Sequence, residues 1–105
     1  MARTNKGKRP KLEVVPEEMR RVFSLIAEEV ATWPEVTAKS MFGLRAMYRG
    51  GVVFAMIPDK RSLEIPDAVA YKEGGEWKTF EVKGEEGIGG ALGVLEKAYA
   101  RSVTK

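Results

Sequence analysis

The fold is decided by the stretch from Lys39 to Ile65, which reads KSMFGLRAMYRGGVVFAMIPDKRSLEI. It contains three runs rich in β-branched, aromatic and methionine residues, and short connections carrying Gly50-Gly51 and Pro58-Asp59 separate these runs. Such runs between turn residues are typical of antiparallel strands. We therefore predict strands over residues 39–48, 52–57 and 62–65, joined as a meander.

The second run, Val52 to Ile57, is apolar on both of its faces. This pattern is expected of a central strand that is covered above and below. The preceding Gly50-Gly51 pair matches a tight hairpin turn, because glycine adopts positive φ without steric penalty. If helices cover only one face of the sheet, the other face is available to a second copy of the chain, so we expect a homodimer.

Two amphipathic segments flank the predicted sheet. The first follows Pro16, and two glutamates in its first turn favour a helix start. Its apolar residues recur at spacings of three and four, which predicts a helix from Glu17 to Thr32. The same spacing predicts a second helix from Ile88 to Arg101, after a glycine-rich loop.

The region between residues 65 and 88 adds smaller elements. We expect a short helical turn from Pro66 to Tyr71 or Lys72, ended by Gly74-Gly75, and a fourth strand from Trp77 to Val82. Residues 12–105 are thus predicted to form a single α+β domain in two layers. It consists of an antiparallel β-sheet of about four strands covered by an N-terminal and a C-terminal helix.

The amino-acid composition limits the kinds of catalysis and metal binding that the chain can support. The 105 residues include no Cys and no His, so disulfides, thiolate nucleophiles and the commonest general base and metal ligands are missing. Adjacent carboxylates such as Glu28 and Glu29 point about 100° apart on a helix, which makes them poor partners in acid/base catalysis. We therefore expect no enzyme, no catalytic residue, no metal, no cofactor and no small-molecule substrate. A binder or enzyme using carboxylate or lysine chemistry in a cleft is a further alternative.

The sequence also bears on location. No apolar run approaches the ~20 residues that a membrane-spanning helix needs, and no apolar segment follows the basic N-terminus as a secretion signal requires. We therefore expect a cytoplasmic protein with no membrane partner. The chain has no Gln and its only Asn is Asn5, a scarcity of amides that resembles the bias of thermophile proteins.

The first eleven residues differ from the rest of the chain. They contain five basic residues and no acidic one, and the remaining 13 basic and 15 acidic residues leave the rest with a net charge of −2. So polar a segment cannot bury enough apolar surface to order itself, so we predict a flexible tail over residues 1–11. It is either a basic arm that contacts nucleic-acid phosphates or a solubilising terminus, and no aromatic residue lies among its cations to stack on bases. The basic residues of this tail are Arg3, Lys6, Lys8, Arg9 and Lys11.

Two arginines extend the nucleic-acid hypothesis into the sheet. Arg45 and Arg49 lie two residues on either side of Met47, so a regular strand places them on the same face. Together with Lys39, Lys60 and Arg61 they are candidates for a basic patch that contacts nucleic acid. The alternative interpretation is scattered surface charge balanced by nearby glutamates.

The run from Val36 to Gly43, which reads VTAKSMFG, is followed by Met47-Tyr48, Gly50-Gly51 and a Val-Phe-Ala-Met strand. With these residues the chain resembles the N-terminal domain of the TfoX/Sxy competence-regulator family, whose members carry a Val-Thr-x-Arg/Lys-x-Met-Phe-Gly motif. The likeness extends from Phe23 to Ile65. Lys39 stands where the family usually has Arg, and Leu44 stands where a second Gly often follows.

The resemblance implies a two-layer α+β fold with an antiparallel sheet, and it brings no catalytic residues. We therefore expect a non-enzymatic regulatory or protein-interaction module of the TfoX N-terminal-like kind, with a second copy or another protein as its partner. The alternative is a nucleic-acid-associated protein that grips phosphates through its basic N-terminal arm.

Overall fold

A computed structural model of the chain describes residues 14–63, 65 and 67–102. These residues form one antiparallel sheet with the strand order β1-β2-β3-β4-β5, together with two helices. The predicted flexible tail lies outside the described residues. The strands are β1 (Val36–Met41), β2 (Leu44–Arg49), β3 (Val52–Pro58), β4 (Ala68–Glu73) and β5 (Glu76–Glu81). The helices are α1 (Glu17–Ala31) and α2 (Ile88–Arg101), and a 3-10 turn at Gly84–Gly87 precedes α2.

Both predicted helices are confirmed, to within one residue for α1. The helix α1 begins after Pro16, whose extended backbone has φ −60° and ψ 150°. At its other end the Thr32 hydroxyl donates to the Glu29 carbonyl at 2.6 Å, and Pro34 prevents continuation because the residue before a proline is disfavoured in helical conformation. No helix among the described residues is long and apolar enough to cross a membrane.

The two helices contact each other and lie on the same face of the sheet. We call this the covered face. Its buried side chains form one hydrophobic cluster, in which Phe23 and Ile26 of α1 and Leu95 of α2 meet Met47 and Val69 of the sheet. Fully burying an apolar side chain of this size stabilises the fold by roughly 1.5–3 kcal/mol. The predicted two-layer α+β architecture is therefore confirmed.

A β-bulge in β3 brings an additional aromatic ring to the covered face. Met47 pairs with Ala55 whereas Tyr48 pairs with Val53, so the register skips Phe54. A bulge inserts one extra residue and re-aims side chains. Phe54 is 1% exposed, and its ring centroid lies 5.7 Å from that of Tyr99 in α2. The bulge thus turns into the core a residue that strict alternation assigns to the opposite face.

The strand predicted over residues 39–48 is two strands, β1 and β2, and the sheet has five strands instead of about four. Phe42 (φ 55°) and Gly43 (φ 80°) form the turn between them, because a two-residue hairpin of this type needs positive φ at both central positions. A Cβ at residue 43 would overlap the Arg61 side chain. The prediction was wrong here because phenylalanine is not a usual turn residue.

Two further predictions were wrong in the segment after β3. Ser62 and Leu63 lie in no strand; instead Arg61 forms an isolated antiparallel bridge with Val14. The helical turn predicted from Pro66 is the strand β4, which pairs with β5 along its whole length. A proline-aspartate pair fits a helix start, but the pairing with β5 and the burial of Val69 against the helices decide for a strand. The last predicted strand corresponds to β5, displaced by one residue.

Candidate functional site

Neither described helix covers the second face of the sheet. The register places Lys39 opposite Ala46, Ala46 opposite Met56, Met56 opposite Ala70 and Ala70 opposite Thr79. Because directly paired residues share a face, these five side chains form one row across the second face. None of them belongs to the cluster of the covered face.

Two aromatic side chains lie beside this row, and each has a lysine next to it. Tyr48 of β2 is half-buried and has the Lys39 Nζ 5.2 Å from its ring centroid. Trp77 of β5 is 46% exposed and has the Lys72 Nζ 5.6 Å from its ring centroid. Both distances are within the range of a cation–π interaction. The two pairs therefore present flat apolar rings together with positive charge.

One corner of the second face is closed. Leu44, Ala46 and Ala68 are buried although they lie outside the cluster of the covered face. At this corner β3 ends and β4 begins, and residues 59–67 connect the two strands. We define the open face as the remaining exposed or half-buried side chains: Thr37, Lys39, Met41, Tyr48, Val53, Met56, Lys72, Trp77, Thr79 and Glu81.

The charges of the open face are unevenly distributed. Lys39 lies on β1, at one edge of the sheet, and Glu81 lies on β5, at the opposite edge. Lys72 occupies β4 and is directed towards the Trp77 ring. The open face is thus positive at the β1 edge and negative at the far end of the β5 edge, with apolar side chains between them.

The arginines that the sequence singled out lie on the covered face and are bound within the fold. The Arg49 Nε is 3.3 Å from the Glu35 Oε1, its Nη1 donates to the Tyr99 carbonyl at 2.9 Å, and its guanidinium lies 4.0 Å from the Tyr99 ring centroid. Arg45 is 3.7 Å from the Asp59 carboxylate. Since Lys39 projects from the opposite face, the candidate basic patch is divided between two faces. Arg3, Lys6, Lys8, Arg9 and Lys11 lie outside the described residues.

Tyr99 is the centre of the network that contains Arg49. Its hydroxyl donates to the Pro34 carbonyl at 2.8 Å, and its ring centroid lies 5.1 Å from that of Trp33. The network joins α2 to the loop between α1 and β1 and to the end of β2. Arg49 therefore has a structural role, which the sequence did not indicate because Tyr99 lies 50 positions away.

An open groove of about 1070 Å³ lies at the start of α1. Among its lining residues are the carboxylates of Glu17, Glu18, Asp67 and Glu85, with Arg21 beside them. Among the described residues no group of three or more His, Cys, Asp or Glu side chains is arranged to hold a metal ion. The groove is therefore acidic surface at the positive end of a helix dipole, where carboxylates are stabilised.

Sequence reasoning did not single out Tyr48, Lys72 and Trp77 as site residues. A signal was present for Trp77, because Trp77, Thr79 and Glu81 alternate with residues of the other face. The contacts between these aromatic rings and lysines could not be predicted from the sequence, because Lys72 was assigned to a helical turn instead of a strand.

Comparison of the chain with known protein families, with curated proteins and with solved structures finds no match. The class of the protein is therefore defined by its architecture. It is an α+β domain whose five-stranded antiparallel meander carries two helices on one face. The other face carries two lysine–aromatic pairs.

Proposed function

We propose that the chain is a non-enzymatic regulatory module that associates with a second copy of itself through the open face. One observation supports this above all: both helices lie on one face, while on the other Trp77 is 46% exposed. Exposed apolar patches rimmed by polar residues mark interaction surfaces. The kinship with the TfoX N-terminal domain is part of the proposal and contributes the regulatory role.

The partner in this proposal is a second copy because the open face is complementary to itself. Two sheets that pack face to face keep their strands nearly aligned, about 10 Å apart. A two-fold axis parallel to the strands and above β3 places β1 of one copy over β5 of the other. Lys39 of each copy then faces Thr79 of the other copy. Glu81 lies two residues, roughly 7 Å, further along β5, within reach of the long lysine side chain, so the symmetry forms this ion pair twice.

The apolar middle of the open face supplies the main stabilisation in this arrangement. Tyr48 lies on β2 and Lys72 on β4, at equal distances from the central strand β3. The same two-fold axis therefore places the Tyr48 ring of one copy over β4 of the other, where Lys72 lies. Met56 of β3 lies close to the axis. Aromatic anchors in the middle of a patch carry most of the energy of an interface.

The test is a charge exchange between the two edges of the open face. Lys39→Glu alone and Glu81→Lys alone each place like charges together at two symmetry-related positions. We expect each to weaken the dimer about tenfold, because a rim ion pair is worth roughly 0.2–1 kcal/mol and each variant removes two of them. The double variant, with both substitutions, restores the pairing and recovers most of the affinity. Sedimentation equilibrium measures the dissociation constant of each variant.

The matched control is Lys78→Glu. Lys78 is an exposed residue of β5, as is Glu81, but it pairs with Tyr71, which packs against the covered-face cluster. The same change of charge there leaves the dimer unaffected. A double variant that is no better than the two single ones would refute the proposed arrangement.

A further inference from the structure

Two large apolar side chains are exposed beyond the same end of the sheet. Phe42, in the turn between β1 and β2, is 83% exposed, and Ile65, in the connection between β3 and β4, is 49% exposed. Leu44, at the start of β2, pairs with Pro58, at the end of β3, so the turn and the connection leave the sheet side by side. Neither Phe42 nor Ile65 belongs to the hydrophobic cluster of the covered face.

The backbone at Phe42 does not favour a phenylalanine. Its φ of 55° is a conformation that asparagine or glycine adopts far more readily than a bulky residue. Hydrogen bonds hold the turn, because the Gly43 carbonyl accepts the backbone N–H groups of Asp59, Lys60 and Arg61 at 3.2, 2.9 and 3.0 Å. The Phe42 ring is thus presented from a fixed backbone, and a contact through it requires little ordering of the chain.

The two-fold axis of the proposed dimer brings Phe42 of one copy to the end of β4 and β5 of the other. The turn lies between β1 and β2, and the axis above β3 carries it to the equivalent place between β4 and β5. Because the axis is parallel to the strands, the turn stays at the same end of the sheet. At this place the Val82 N–H donates to the Asp67 carbonyl at 2.7 Å.

The surface that receives the ring has an exposed apolar neighbour and no bulky obstacle. Ile65 is two residues before Asp67, so the Cα atoms of these two residues are at most about 7 Å apart. Val82 is buried in the cluster of the covered face, so its side chain points away from the other copy. The ring of Phe42 therefore arrives within reach of Ile65.

We propose that Phe42 of each copy packs against Ile65 of the other copy and closes this end of the dimer interface. The inference rests on the proposed function and adds to it a contact outside the open face. Met41 of the open face directly precedes Phe42, so the contact is continuous with the proposed interface. The two-fold symmetry forms it twice, and each contact buries two apolar side chains that the monomer leaves in water.

The first measurement is the dissociation constant of each full-length variant by sedimentation equilibrium. Phe42→Asn removes the ring but suits the positive φ, so the melting temperature of the monomer stays the same or rises while the dissociation constant increases about tenfold. Ile65→Asn weakens the dimer by a similar factor. Leu25→Asn, at an exposed apolar residue of α1, is the matched control and leaves the dissociation constant unchanged.

A mixture of the two variants tests the contact itself. Each homodimer, of Phe42→Asn or of Ile65→Asn, lacks both contacts. The heterodimer retains one of them, between the Phe42 of one chain and the Ile65 of the other. The heterodimer should therefore exceed its statistical proportion. Native mass spectrometry measures this, because the two variants differ in mass.

The outcomes distinguish this contact from the dimer as a whole. A wild-type chain that stays monomeric overturns the contact together with the proposed function. If the exchange of Lys39→Glu and Glu81→Lys behaves as expected but Phe42→Asn leaves the dissociation constant unchanged, only the contact is refuted. A heterodimer in its statistical proportion refutes it in the same way, because the two side chains then do not meet across the interface.

Discussion

The covered and open faces of the sheet are formed by the same five strands, but the two described helices pack on the covered face alone. On the covered face, Met47, Phe54 and Val69 are buried against two helices of the same chain. On the open face, the rings of Tyr48 and Trp77 are partly exposed to solvent, and a lysine ammonium lies near each ring. The part of the chain that the structure describes thus provides helices for one face only. The other face keeps apolar area that a second molecule can bury.

The cations of the two faces differ in the same way. Arg49 on the covered face engages a carboxylate, a carbonyl and an aromatic ring at once. Lys39 on the open face has the Tyr48 ring as its neighbour and a flexible, strongly hydrated ammonium. A rigid, multiply bonded arginine suits a structural position. A lysine at an exposed edge suits a contact that forms and dissociates.

The largest expected effect distinguishes two adjacent residues of β3. Phe54→Ala removes a buried ring from the covered face and should reduce the free energy of unfolding by about 3–5 kcal/mol. Val53→Ala, next to it on the open face, should cost less than about 1 kcal/mol because that side chain is only half-buried. Denaturant unfolding at low protein concentration measures both. Equal losses would mean that the bulge does not direct Phe54 into the core.

The second prediction concerns association. Trp77→Ala should weaken the dimer by about 2 kcal/mol or more for each protomer, because tryptophans dominate the energy of interfaces. Measured below the dissociation constant, where the protein is monomeric, the same variant should unfold with nearly the wild-type free energy. Sedimentation equilibrium and denaturant unfolding of one preparation give both values. A loss of monomer stability without weaker association would make Trp77 a residue of the fold alone.

The third prediction compares the cations. Arg49→Ala should reduce the free energy of unfolding by about 2 kcal/mol, because the Tyr99 carbonyl and the Glu35 carboxylate lose the charged donor that Arg49 provides. Lys39→Ala should change it by less than about 0.5 kcal/mol, as is usual for an exposed side chain. Thermal and denaturant unfolding measure the difference. Similar values for the two variants would remove the distinction between structural and surface cations.

The smallest expected effect is that of Tyr99→Phe. This variant deletes only the hydroxyl that donates to the Pro34 carbonyl, and it keeps the ring on which Arg49 lies. We expect a loss of about 1 kcal/mol in the free energy of unfolding, which is typical of one hydrogen bond. Amide hydrogen exchange in the loop before β1 should increase in parallel. Unchanged exchange there would show that the hydroxyl does not hold this loop.

Both helices were predictable because each has a strong apolar period of 3.6, and Pro16 and Pro34 also mark the start and the end of α1. The hairpin at Gly50-Gly51 was predictable for a similar reason, since both glycines have positive φ in the structure. The turn at Phe42 was not predictable, because its conformation is imposed by the three hydrogen bonds to the Gly43 carbonyl. The donors are backbone N–H groups of residues 59–61, so the sequence around Phe42 does not indicate them.

For the candidate site, the apolar run from Val52 to Ile57 indicated that a sheet face left without helices would be apolar and open to a second copy of the chain. It did not indicate how the bulge at Phe54 changes which of these side chains point into the core. It also grouped Arg45 and Arg49 with Lys39, whereas strand alternation and the turn at Phe42 place the lysine on the other face. Such assignments depend on register, and register is fixed by pairing between distant residues.

The association of the wild-type chain is the most direct test of the proposed role of the open face. Sedimentation equilibrium over a wide range of concentration should show a reversible transition from the 11.6 kDa chain to a species of twice that mass. Lys39→Glu should shift this transition to higher concentration, and Lys78→Glu should not. A mass of 11.6 kDa at every concentration would contradict the proposal that a second copy covers the open face.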